Sequence, residues 1–503
     1  MNSKTEVLLI TPPSRKQIYQ SLSDDFAAIE PPVWSSLIAN FLRNNNINVE
    51  ILDAEAAQLT HEQTAKFILK KNPKLAVFVI YGQQPSASTQ CMPGGKKVLD
   101  ILKNEKSDIK TIVMGTHASS LPKKTLEEEG YDFVCQGEGP YTILGLIEII
   151  KKNKSDLSKI PGLWYYDKNK EISFNASAKL IANLDETLNG QSWDLLDMSK
   201  YKAHNWHVFN QPDTRNSYAS LQTSLGCPFK CTFCCINSPF NSNQIRFWSP
   251  NHIVNQMEYL VKKYSIKNIK IPDEMFVLNP RQVSEICDLI IKKDLKLNIW
   301  AYARIDTLED REMLKKMKKA GFNWLAIGVE SGSKHVRDGV IKGRFTTEKI
   351  YETISRVKDL DFYIGANYIF GLPDDDHDSM QETLDMAIKI NSEWINFYCA
   401  MAYPGSQLHK MAVEKKWDLP ENKNGPGWLG YSQHAFETRP LRTEKIKASE
   451  VLDFRDKAFN IYFQNPDYMK MAKDRFGGNM NTQISSMLKH KLKRKHQFEE
   501  VDY

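Results

Sequence analysis

The amino-acid sequence predicts an α/β protein in which two successive parallel-sheet domains are followed by a helical C-terminal part. Over the first 150 residues, short apolar segments of strand length alternate with amphipathic helical segments, and the same alternation restarts at residue 216. After about residue 440 the pattern is helical and shows no strand signal. Such alternation is typical of parallel sheets covered by helices on both faces, which bind ligands at the carboxyl ends of their strands.

The first domain is predicted to contain five strands and five helices. The helix over 33–46 has the clearest pattern, because its apolar residues recur at the spacing of one helix face. The predicted strands cover residues 6–11, 47–54, 74–81, 109–117 and 132–139, and the predicted helices cover residues 33–46, 61–72, 94–105, 122–130 and 142–152. We therefore expect a Rossmann-like domain over residues 1–152.

Residues 153–215 are less regular and are interpreted as a linker. They include a small predicted hairpin over 162–174 and a helical turn over 192–201.

About six strand–helix units follow from residue 216. The helix over 249–264 has Ser249 as its candidate N-cap and Pro250 at its first position. The predicted strands begin near residues 217, 268, 297, 323, 363 and 394, and the other predicted helices cover 280–294, 307–321, 346–360 and 378–390. This order predicts an open or closed barrel of parallel strands over 216–438, with chemistry at the carboxyl ends of the strands. Residues 439–503 form a helical C-terminal extension.

The composition is that of an ordinary globular chain, with 41% hydrophobic and 25% charged residues and a formal net charge of +6. This mild charge gives no reason to expect a nucleic-acid partner, and the basic run at 489–496 is interpreted as a solvated tail rather than a binding arm. No apolar run has the ~20 residues that a membrane helix needs. The N-terminus lacks the features of a signal peptide. We therefore expect a cytoplasmic protein whose cysteines do not form a disulfide framework.

Four of the eight cysteines lie at positions 227, 231, 234 and 235. Closely spaced thiolates are soft ligands that select iron–sulfur clusters, zinc or copper. A zinc site would need a fourth ligand at paired spacing, and none follows, since Cys287 and Cys399 are isolated in other elements. Cys227, Cys231 and Cys234 would leave one iron of a four-iron cluster open. Cys235 adjoins Cys234, points elsewhere and is interpreted as structural.

The segment CPFKCTFC over 227–234 resembles the CxxxCxφC motif of radical S-adenosylmethionine (SAM) enzymes, with Phe233 as its aromatic residue. The segments IPDE (271–274), GVESG (328–332), YIFGLPD (368–374) and YPGSQL (403–408) resemble later strand-end segments of that family. In YIFGLPD, Asp374 replaces the family's glutamate. The resemblance covers about 215–435 and implies a partial (βα)6 barrel with a [4Fe–4S] cluster on the three cysteines.

The resemblance also implies the SAM contacts and the chemistry. The open iron would bind SAM, and one electron from the reduced cluster would yield a radical that abstracts hydrogen from an unactivated carbon. For Arg304 the choice stays open between the SAM carboxylate and a surface salt bridge. The residues implied in SAM binding are Phe233, Asp273, Glu274, Arg304, Glu330, Ser331 and Gly371.

The first domain resembles the cobalamin-binding domain that precedes many radical SAM cores. The similarity lies in TPP (11–13), the segment 30–56 and the segment 115–143, although Pro140 replaces the second glutamate of the family's G-E-G-E. The residues implied in cobalamin binding are Thr11, Pro12, Pro13, Gln83, Ser86, Ser88, Thr89, Gly115, Thr116, His117, Gly137, Glu138 and Gly139. Glycines allow close backbone approach, and hydroxyls and amides suit a polar tail.

The family's D-x-H-x-x-G motif, whose histidine binds cobalt, is absent. His117 is the one histidine at a strand end, and a hydrogen bond to the corrin or its tail is favoured over cobalt ligation. A Rossmann-like domain that merely caps the barrel is the alternative interpretation of this domain.

Together the two resemblances imply a cobalamin-dependent radical SAM enzyme, most simply a methyltransferase that acts on a small-molecule, glycan or lipid intermediate. Ring formation or rearrangement is the first alternative, and an iron–sulfur redox sensor or an RNA-modifying protein belongs to another class. The expected partners are a small-molecule substrate and an electron donor such as flavodoxin or ferredoxin. The aromatic-rich segment 425–441 could line the substrate end or serve ordinary packing.

Overall fold

The computed structural model describes residues 5–82, 86–343, 345–478 and 480–496. Within these residues no helix is both long and apolar enough to span a bilayer. The strands are β1 (Val7–Thr11), β2 (Val49–Asp53), β3 (Leu75–Val79), β4 (Lys110–Met114), β5 (Phe133–Cys135), β6 (Leu163–Tyr166), β7 (Ile172–Phe174), β8 (Tyr218–Ser220), β9 (Ser224–Leu225), β10 (Arg246–Phe247), β11 (Asn268–Ile271), β12 (Asn298–Arg304), β13 (Phe322–Glu330), β14 (Tyr363–Phe370) and β15 (Trp394–Cys399).

The described α-helices connect and cover these strands. They are α1 (Arg15–Tyr19), α2 (Leu22–Asp25), α3 (Val33–Asn44), α4 (His61–Lys71), α5 (Ala87–Asn104), α6 (Thr116–Ser120), α7 (Pro122–Glu129), α8 (Pro140–Lys151), α9 (Leu184–Thr187), α10 (Pro250–Tyr264), α11 (Pro280–Lys293), α12 (Arg311–Lys319), α13 (Lys334–Gly339), α14 (Thr347–Asp359), α15 (His377–Ile390), α16 (Gln407–Glu414), α17 (Ala448–Phe463), α18 (Pro466–Phe476) and α19 (Met480–Lys489).

The first sheet has the strand order β2-β1-β3-β4-β5-β6-β7, and its first five strands are parallel. The chain order reverses at β1, which lies between β2 and β3. Such a reversal opens a crevice beyond the carboxyl ends of the two central strands, where ligands of this fold bind. The predicted Rossmann-like architecture is confirmed, and its crevice faces the second domain.

The predicted hairpin at 162–174 is present, and it is part of the first sheet rather than of a linker. Its strand β6 pairs antiparallel with β5, and β7 pairs antiparallel with β6, so both extend the first sheet. The interpretation of 153–215 as a linker is therefore corrected for this segment. Sequence periodicity predicts a hairpin but does not show which sheet edge it joins.

The second sheet contains six parallel strands in the order β8-β11-β12-β13-β14-β15. No pairing joins β8 to β15 in the described structure, so the sheet is a partial barrel, as predicted. Ser249 caps α10 by accepting a hydrogen bond from the His252 backbone N–H, and Pro250 is at the first helical position, also as predicted.

The C-terminal extension is helical and closes the open side of the barrel. Helix α17 packs against β15. Beyond α19, residues 490–496 form an irregular segment, here called the C-terminal strap. Arg494 has a fully buried side chain whose guanidinium binds both Asp456 oxygens at 2.9 and 3.0 Å and the Gln433 carbonyl at 3.0 Å. The expectation of a solvated tail at 489–496 is therefore wrong for this strap, because a buried arginine anchors it.

Candidate active site

Three cavities meet where the first domain faces the barrel. The interdomain cavity lies between the carboxyl ends of β1 and β3 and the barrel segments 220–226 and 272–274, and it measures about 1400 Å³ with its open mouth included. The cysteine cavity surrounds the loop 227–236 and measures about 1190 Å³. The barrel cavity, about 1980 Å³, lies inside the barrel and reaches α17, α19 and the strap.

These cavities share walls. Glu274 and Ile236 border both the interdomain and the cysteine cavities. Tyr302, Tyr398 and Tyr403 border both the cysteine and the barrel cavities. A group held in the cysteine cavity would therefore be separated from each neighbouring cavity by single side chains.

The cysteine loop follows β9 and is held by backbone and amide hydrogen bonds. The Asn237 side chain accepts from the Cys227 N–H at 3.0 Å and donates to the Cys227 carbonyl at 2.8 Å. The Cys234 N–H donates to the Cys231 carbonyl at 3.1 Å. Gly226 has φ +91°, and a Cβ at this position would collide with the Gln244 carbonyl. The loop therefore has a defined conformation that places Cys227, Cys231 and Cys234 on one cavity.

The chemistry of this cavity fits a multi-iron cluster better than a single ion. No three His, Cys, Asp or Glu side chains among the described residues converge closely enough to hold one metal ion, yet the three cysteines border the same space. Burial raises the pKa of Cys227 to about 11 and that of Cys234 well above its ordinary value. Cys235 also borders this cavity, which the sequence did not indicate.

Arg304 lies at the cysteine cavity, and its guanidinium is largely engaged. It stacks on Phe229 with 3.8 Å from the guanidinium carbon to the ring centroid, and Nη1 lies 3.7 Å from Cys231 Sγ. Nε and Nη2 donate to the two Asp306 oxygens at 2.9 and 2.8 Å, and Nη2 also donates to the Lys342 carbonyl. The salt-bridge alternative is therefore present as a pair with Asp306, whose side chain is 39% exposed, although Arg304 itself is buried and also borders the cysteine cavity.

Glu330 combines backbone strain with a buried charge pair. It ends β13 with φ +70°, a conformation that costs a non-glycine residue of order 1 kcal/mol and persists where surrounding structure requires it. Its carboxylate forms an ion pair with Lys342 Nζ at 2.5 Å, and both side chains border the cysteine cavity. The strained backbone thus directs a carboxylate and an ammonium toward the same space.

Phe233 and Glu274, two of the predicted SAM contacts, also border the cysteine cavity. Burial raises the pKa of Glu274 to about 7 although Lys342 and Lys270 lower it. A carboxylate so poorly solvated is suited to meet a cation in this cavity.

Asp273, Ser331 and Gly371 are directed elsewhere. Asp273 accepts from the Thr223 backbone and hydroxyl at 2.8 and 2.6 Å and fixes the start of the cysteine loop. Ser331 is fully buried within hydrogen-bond distance of the Thr383 hydroxyl, 3.2 Å away. Gly371, with φ +78°, makes room for a valine of α17. These long-range packing contacts were not visible in the sequence.

The interdomain cavity is bordered by polar atoms that lack partners. The Thr11, Tyr81, Thr116 and Ser220 hydroxyls are buried at its wall and have no hydrogen-bond partner among the described residues. Trp34 and Tyr81 add a stacked aromatic wall, with ring centroids 4.6 Å apart. Buried polar groups are almost always hydrogen-bonded. Several unpaired ones around a single cavity fit a large ligand that has both an apolar ring system and polar substituents, as cobalamin does.

The remaining residues implied in cobalamin binding divide between this cavity and other sites. Pro12 borders the interdomain cavity, whereas Ser86 borders the other two cavities. Ser88 binds the Ile80 carbonyl and the His117 N–H. Gly115, with φ +148°, allows the close approach of that same carbonyl. Pro13 is outside the cavity lining, and Gln83 lies outside the described residues.

His117 does not border the interdomain cavity. Its Nδ1 lies 3.3 Å from the Thr89 hydroxyl, and its ring packs edge-on against Trp428 with centroids 4.4 Å apart. Burial lowers the pKa of this histidine to about 3, so it is neutral. Thr89 and His117 thus act together in packing α6 against residue 428 of the segment 425–441.

The Gly137–Glu138–Gly139 segment borders a smaller, separate groove. Glu138 forms an ion pair with Arg246 at 2.8 Å and accepts from the Ile181 N–H at 2.9 Å. The structure therefore gives Glu138 the role of tying the first domain to the barrel.

Sequence reasoning missed several cavity residues. Trp34 was assigned only to a helix face, and Tyr81 only to a strand. Lys342 and Arg455 carried no motif. The position of Tyr81 at the end of a central strand was the one signal that could have indicated a binding role.

Two family models match this chain. The radical SAM superfamily model matches residues 221–387, which include the cysteine loop and strands β11 to β14. The B12-binding domain model matches residues 21–147, which include strands β2 to β5, whereas β1 (Val7–Thr11) precedes the matched range.

Relatives extend over most of the chain. An uncharacterized methyltransferase of Pyrococcus horikoshii is 28% identical over 83% of this chain and 85% of its own length. The anaerobic magnesium-protoporphyrin IX monomethyl ester cyclase of Rubrivivax gelatinosus is 23% identical over 90% of this chain and 77% of its own length. The radical SAM methyltransferase TsrM of Kitasatospora setae, solved with cobalamin and a [4Fe–4S] cluster, shares the fold with a TM-score of 0.66 at 14% identity, covering 92% of this chain and 90% of that one.

The two matched domains carry the cavities described above, and the domain types define the cofactors as a [4Fe–4S] cluster, SAM and cobalamin. The chain therefore joins a B12-binding domain to a radical SAM domain and belongs to the cobalamin-binding radical SAM enzymes.

Proposed function

We propose that this enzyme methylates an unactivated carbon of a small-molecule, glycan or lipid intermediate. The observation that carries the proposal is the shared wall between the interdomain and cysteine cavities, formed by Glu274 and Ile236. When bound, the cluster and SAM supply a hydrogen-abstracting radical, and cobalamin supplies the methyl group. Two cofactor sites that adjoin each other and the barrel cavity are the arrangement that such a transfer needs.

In this proposal the cysteine cavity holds the cluster and SAM. Cys227, Cys231 and Cys234 are the cluster ligands. Glu274 receives the positively charged amino group of SAM, because its buried carboxylate faces the cavity. Glu330 and Lys342 form an ion pair at the wall of this cavity and orient polar groups of SAM.

The interdomain cavity holds cobalamin. The unpaired hydroxyls of Thr11, Tyr81 and Thr116 bind its polar substituents, and the Trp34–Tyr81 wall packs against its ring system. The domains that we propose to supply these sites span residues 1–152 and 216–438. In the C-terminal extension over 439–503, helices α17 and α19 and residues 490–492 border the proposed substrate cavity.

Methyl transfer and ring formation both occur among the relatives by name, since one is a methyltransferase and the other a cyclase. The unpaired hydroxyls of the interdomain cavity support a bound cobalamin, which both reactions can use, so the reaction products distinguish the two. A redox sensor or an RNA-modifying protein is less well supported, because neither needs three adjoining cavities.

The test is anaerobic reconstitution with cluster, cobalamin, SAM and a reductant, followed by chromatography of the products. S-adenosylhomocysteine together with 5′-deoxyadenosine supports methyl transfer. 5′-Deoxyadenosine alone favours cyclisation or rearrangement, and the absence of both products favours a sensor.

We further propose flavodoxin or ferredoxin as the electron donor and the cytoplasm as the location. Among the eight cysteines none forms a disulfide, which supports a reducing compartment.

A further inference from the structure

The barrel cavity is built from three parts of the chain. Inner faces of the barrel strands form its base, the α1–α2 region forms one side, and α17, α19 and the strap form the other. Tyr302, Tyr398 and Tyr403 separate it from the cysteine cavity. A molecule held here would thus lie next to the proposed radical site.

Part of the wall of this cavity is aromatic. Trp206 packs edge-on against Trp300 with centroids 5.1 Å apart and lies nearly parallel to Trp394 at 6.2 Å. All three rings border the cavity, as do Phe397 and Phe459. Flat aromatic surfaces favour an apolar ligand that contains rings over a flexible alkyl chain.

Arg455 supplies a buried cation beside two of these rings, since it contacts Phe397 and its guanidinium carbon lies 5.5 Å from the Phe459 ring centroid. This side chain of α17 is only 7% exposed. Its Nε donates to the Phe397 carbonyl at 2.8 Å and Nη1 donates to Asp456 at 2.7 Å. Its Nη2 has no further partner among the described residues, and the residue borders the cavity.

Among the described residues around Arg455, the charge balance is positive. Asp456 is shared between Arg455 and Arg494, at 2.7 and 2.9 Å. Burial raises the pKa of Asp456, but the two arginines outweigh it and lower the pKa, so one carboxylate faces two guanidinium groups. At the rim Lys491 adds a further positive charge. The cavity's other buried cation, Lys270, is paired with Glu30 at 2.7 Å.

We propose that the barrel cavity takes a substrate with an anionic group, carboxylate or phosphate, on an apolar ring-containing body. The anion is received by Arg455 and the rings pack on the tryptophans. This inference rests on the proposed function, since it names the substrate class of the same enzyme. The remaining nitrogen of this buried guanidinium group, Nη2, gains a charge-assisted hydrogen bond from such an anion.

The test measures binding to the reconstituted holoenzyme by equilibrium dialysis with three probes. Pyrenebutyrate has rings and a carboxylate, pyrenebutanol has rings alone, and dodecanoate has a carboxylate alone. We expect pyrenebutyrate to bind at least about tenfold more tightly than the other two. Pyrenyl phosphate, compared with pyrenebutyrate, distinguishes a phosphate from a carboxylate preference.

Variants locate the anion site. Arg455→Gln should weaken pyrenebutyrate binding about tenfold or more and leave pyrenebutanol within twofold, whereas Arg455→Lys should largely retain binding. Arg311→Gln, an exposed arginine on α12, is the matched control. Gly365→Leu should abolish binding of both pyrenes, because a Cβ there has no neighbour closer than 4.0 Å and extends into the cavity.

Equal affinity for pyrenebutyrate and dodecanoate would contradict the inference that the substrate contains rings. Unchanged pyrenebutyrate binding by Arg455→Gln would contradict the assignment of Arg455 as the anion site. Unchanged binding by Gly365→Leu would show that the ligand does not occupy the barrel cavity. Binding is measured without turnover, so its failure is distinguishable from a failure of methyl transfer. An enzyme that forms 5′-deoxyadenosine alone but binds as expected would contradict the proposed function and leave this inference standing.

Discussion

Lys270 and Glu30 form a buried ion pair, with 2.7 Å between Nζ and Oε1, that joins the barrel to the first domain. Their side chains are 3% and 7% exposed. Glu30 borders the interdomain cavity and Lys270 borders the barrel cavity, so the pair is part of the wall between them. This charge pair therefore helps to fix the relative position of two proposed ligand sites, together with the Glu138–Arg246 pair.

The first prediction concerns this pair. Glu30→Gln removes the carboxylate that pairs with the buried Lys270 charge, and we expect the free energy of unfolding to fall by about 3–5 kcal/mol. The double variant Glu30→Leu with Lys270→Met should recover much of that loss, because neither charge remains. Urea unfolding of the apoprotein measures both. Glu312→Gln, which breaks an exposed pair with Lys315, should change stability by about 0–1 kcal/mol. A similar loss in both single variants would contradict the prediction.

The second prediction concerns the cysteine loop. Changing Cys227, Cys231 or Cys234 to Ala should each abolish the visible iron–sulfur absorbance and the bound iron, because each removes a proposed ligand. Cys235→Ala is the matched control and should keep the cluster. Iron and sulfide analysis after anaerobic reconstitution measures the outcome. A cluster retained in all three variants would exclude these ligands.

The third prediction asks whether Arg304 acts on the cluster or on the SAM carboxylate. Since its guanidinium lies 3.7 Å from Cys231 Sγ and is engaged by Asp306, we expect Arg304→Met to lower the midpoint potential of the cluster while SAM affinity changes less than about threefold. The removal of a positive charge beside a thiolate favours the oxidised cluster. Redox titration and SAM binding measure the two effects. A tenfold loss of SAM affinity at unchanged potential would instead favour the carboxylate contact that the sequence implied.

The interdomain cavity predicts which hydroxyls bind cobalamin. Thr11→Val and Thr116→Val each remove an unpaired hydroxyl at the cavity, and we expect about a tenfold loss of cobalamin affinity, which corresponds to about 1.4 kcal/mol. Thr125→Val is the control, because its hydroxyl is also buried and unpaired but does not border the cavity. Absorbance titration measures the cobalamin affinity of each variant. Equal losses of affinity in all three variants would show a general packing effect.

A pH effect follows from Asp375. Burial raises the pKa of this carboxyl to about 6, against hydrogen bonds from Ser379 and Leu372 that lower it. The folded state therefore keeps a proton that the unfolded state loses near pH 4, so stability present at low pH is lost as the pH rises from about 4 to about 6. We expect Asp375→Asn to flatten this fall in urea unfolding measured across that range. If the free energy of unfolding of Asp375→Asn falls with pH as steeply as that of the unchanged protein, the proton is bound by a group other than Asp375.

The sequence indicated the elements whose patterns are local. Helix α10 with its Ser249 cap, the parallel strands and the cysteine loop all follow from periodicity, capping residues and spacing. What it did not indicate depends on contacts between distant segments. Asp273 appeared as a ligand because of its strand-end position, whereas its carboxylate is engaged by Thr223. The basic run at the C-terminus looked solvated because a buried partner such as Asp456 cannot be inferred from charge alone.

The C-terminal strap places residues that contact the proposed substrate far along the sequence from those that hold the cofactors. Gln20 of the first domain donates to the Lys493 carbonyl at 3.0 Å, and the adjacent residues Tyr19 and Leu492 both border the barrel cavity. The groups proposed to hold cofactors lie in the middle of the sequence or at the first sheet, away from α17 and residues 490–496. Sequence differences in α17 and the strap would thus change substrate specificity without altering the cluster and SAM sites. Exchanging this part of the chain between homologues would then change the preferred substrate and leave the reaction type the same.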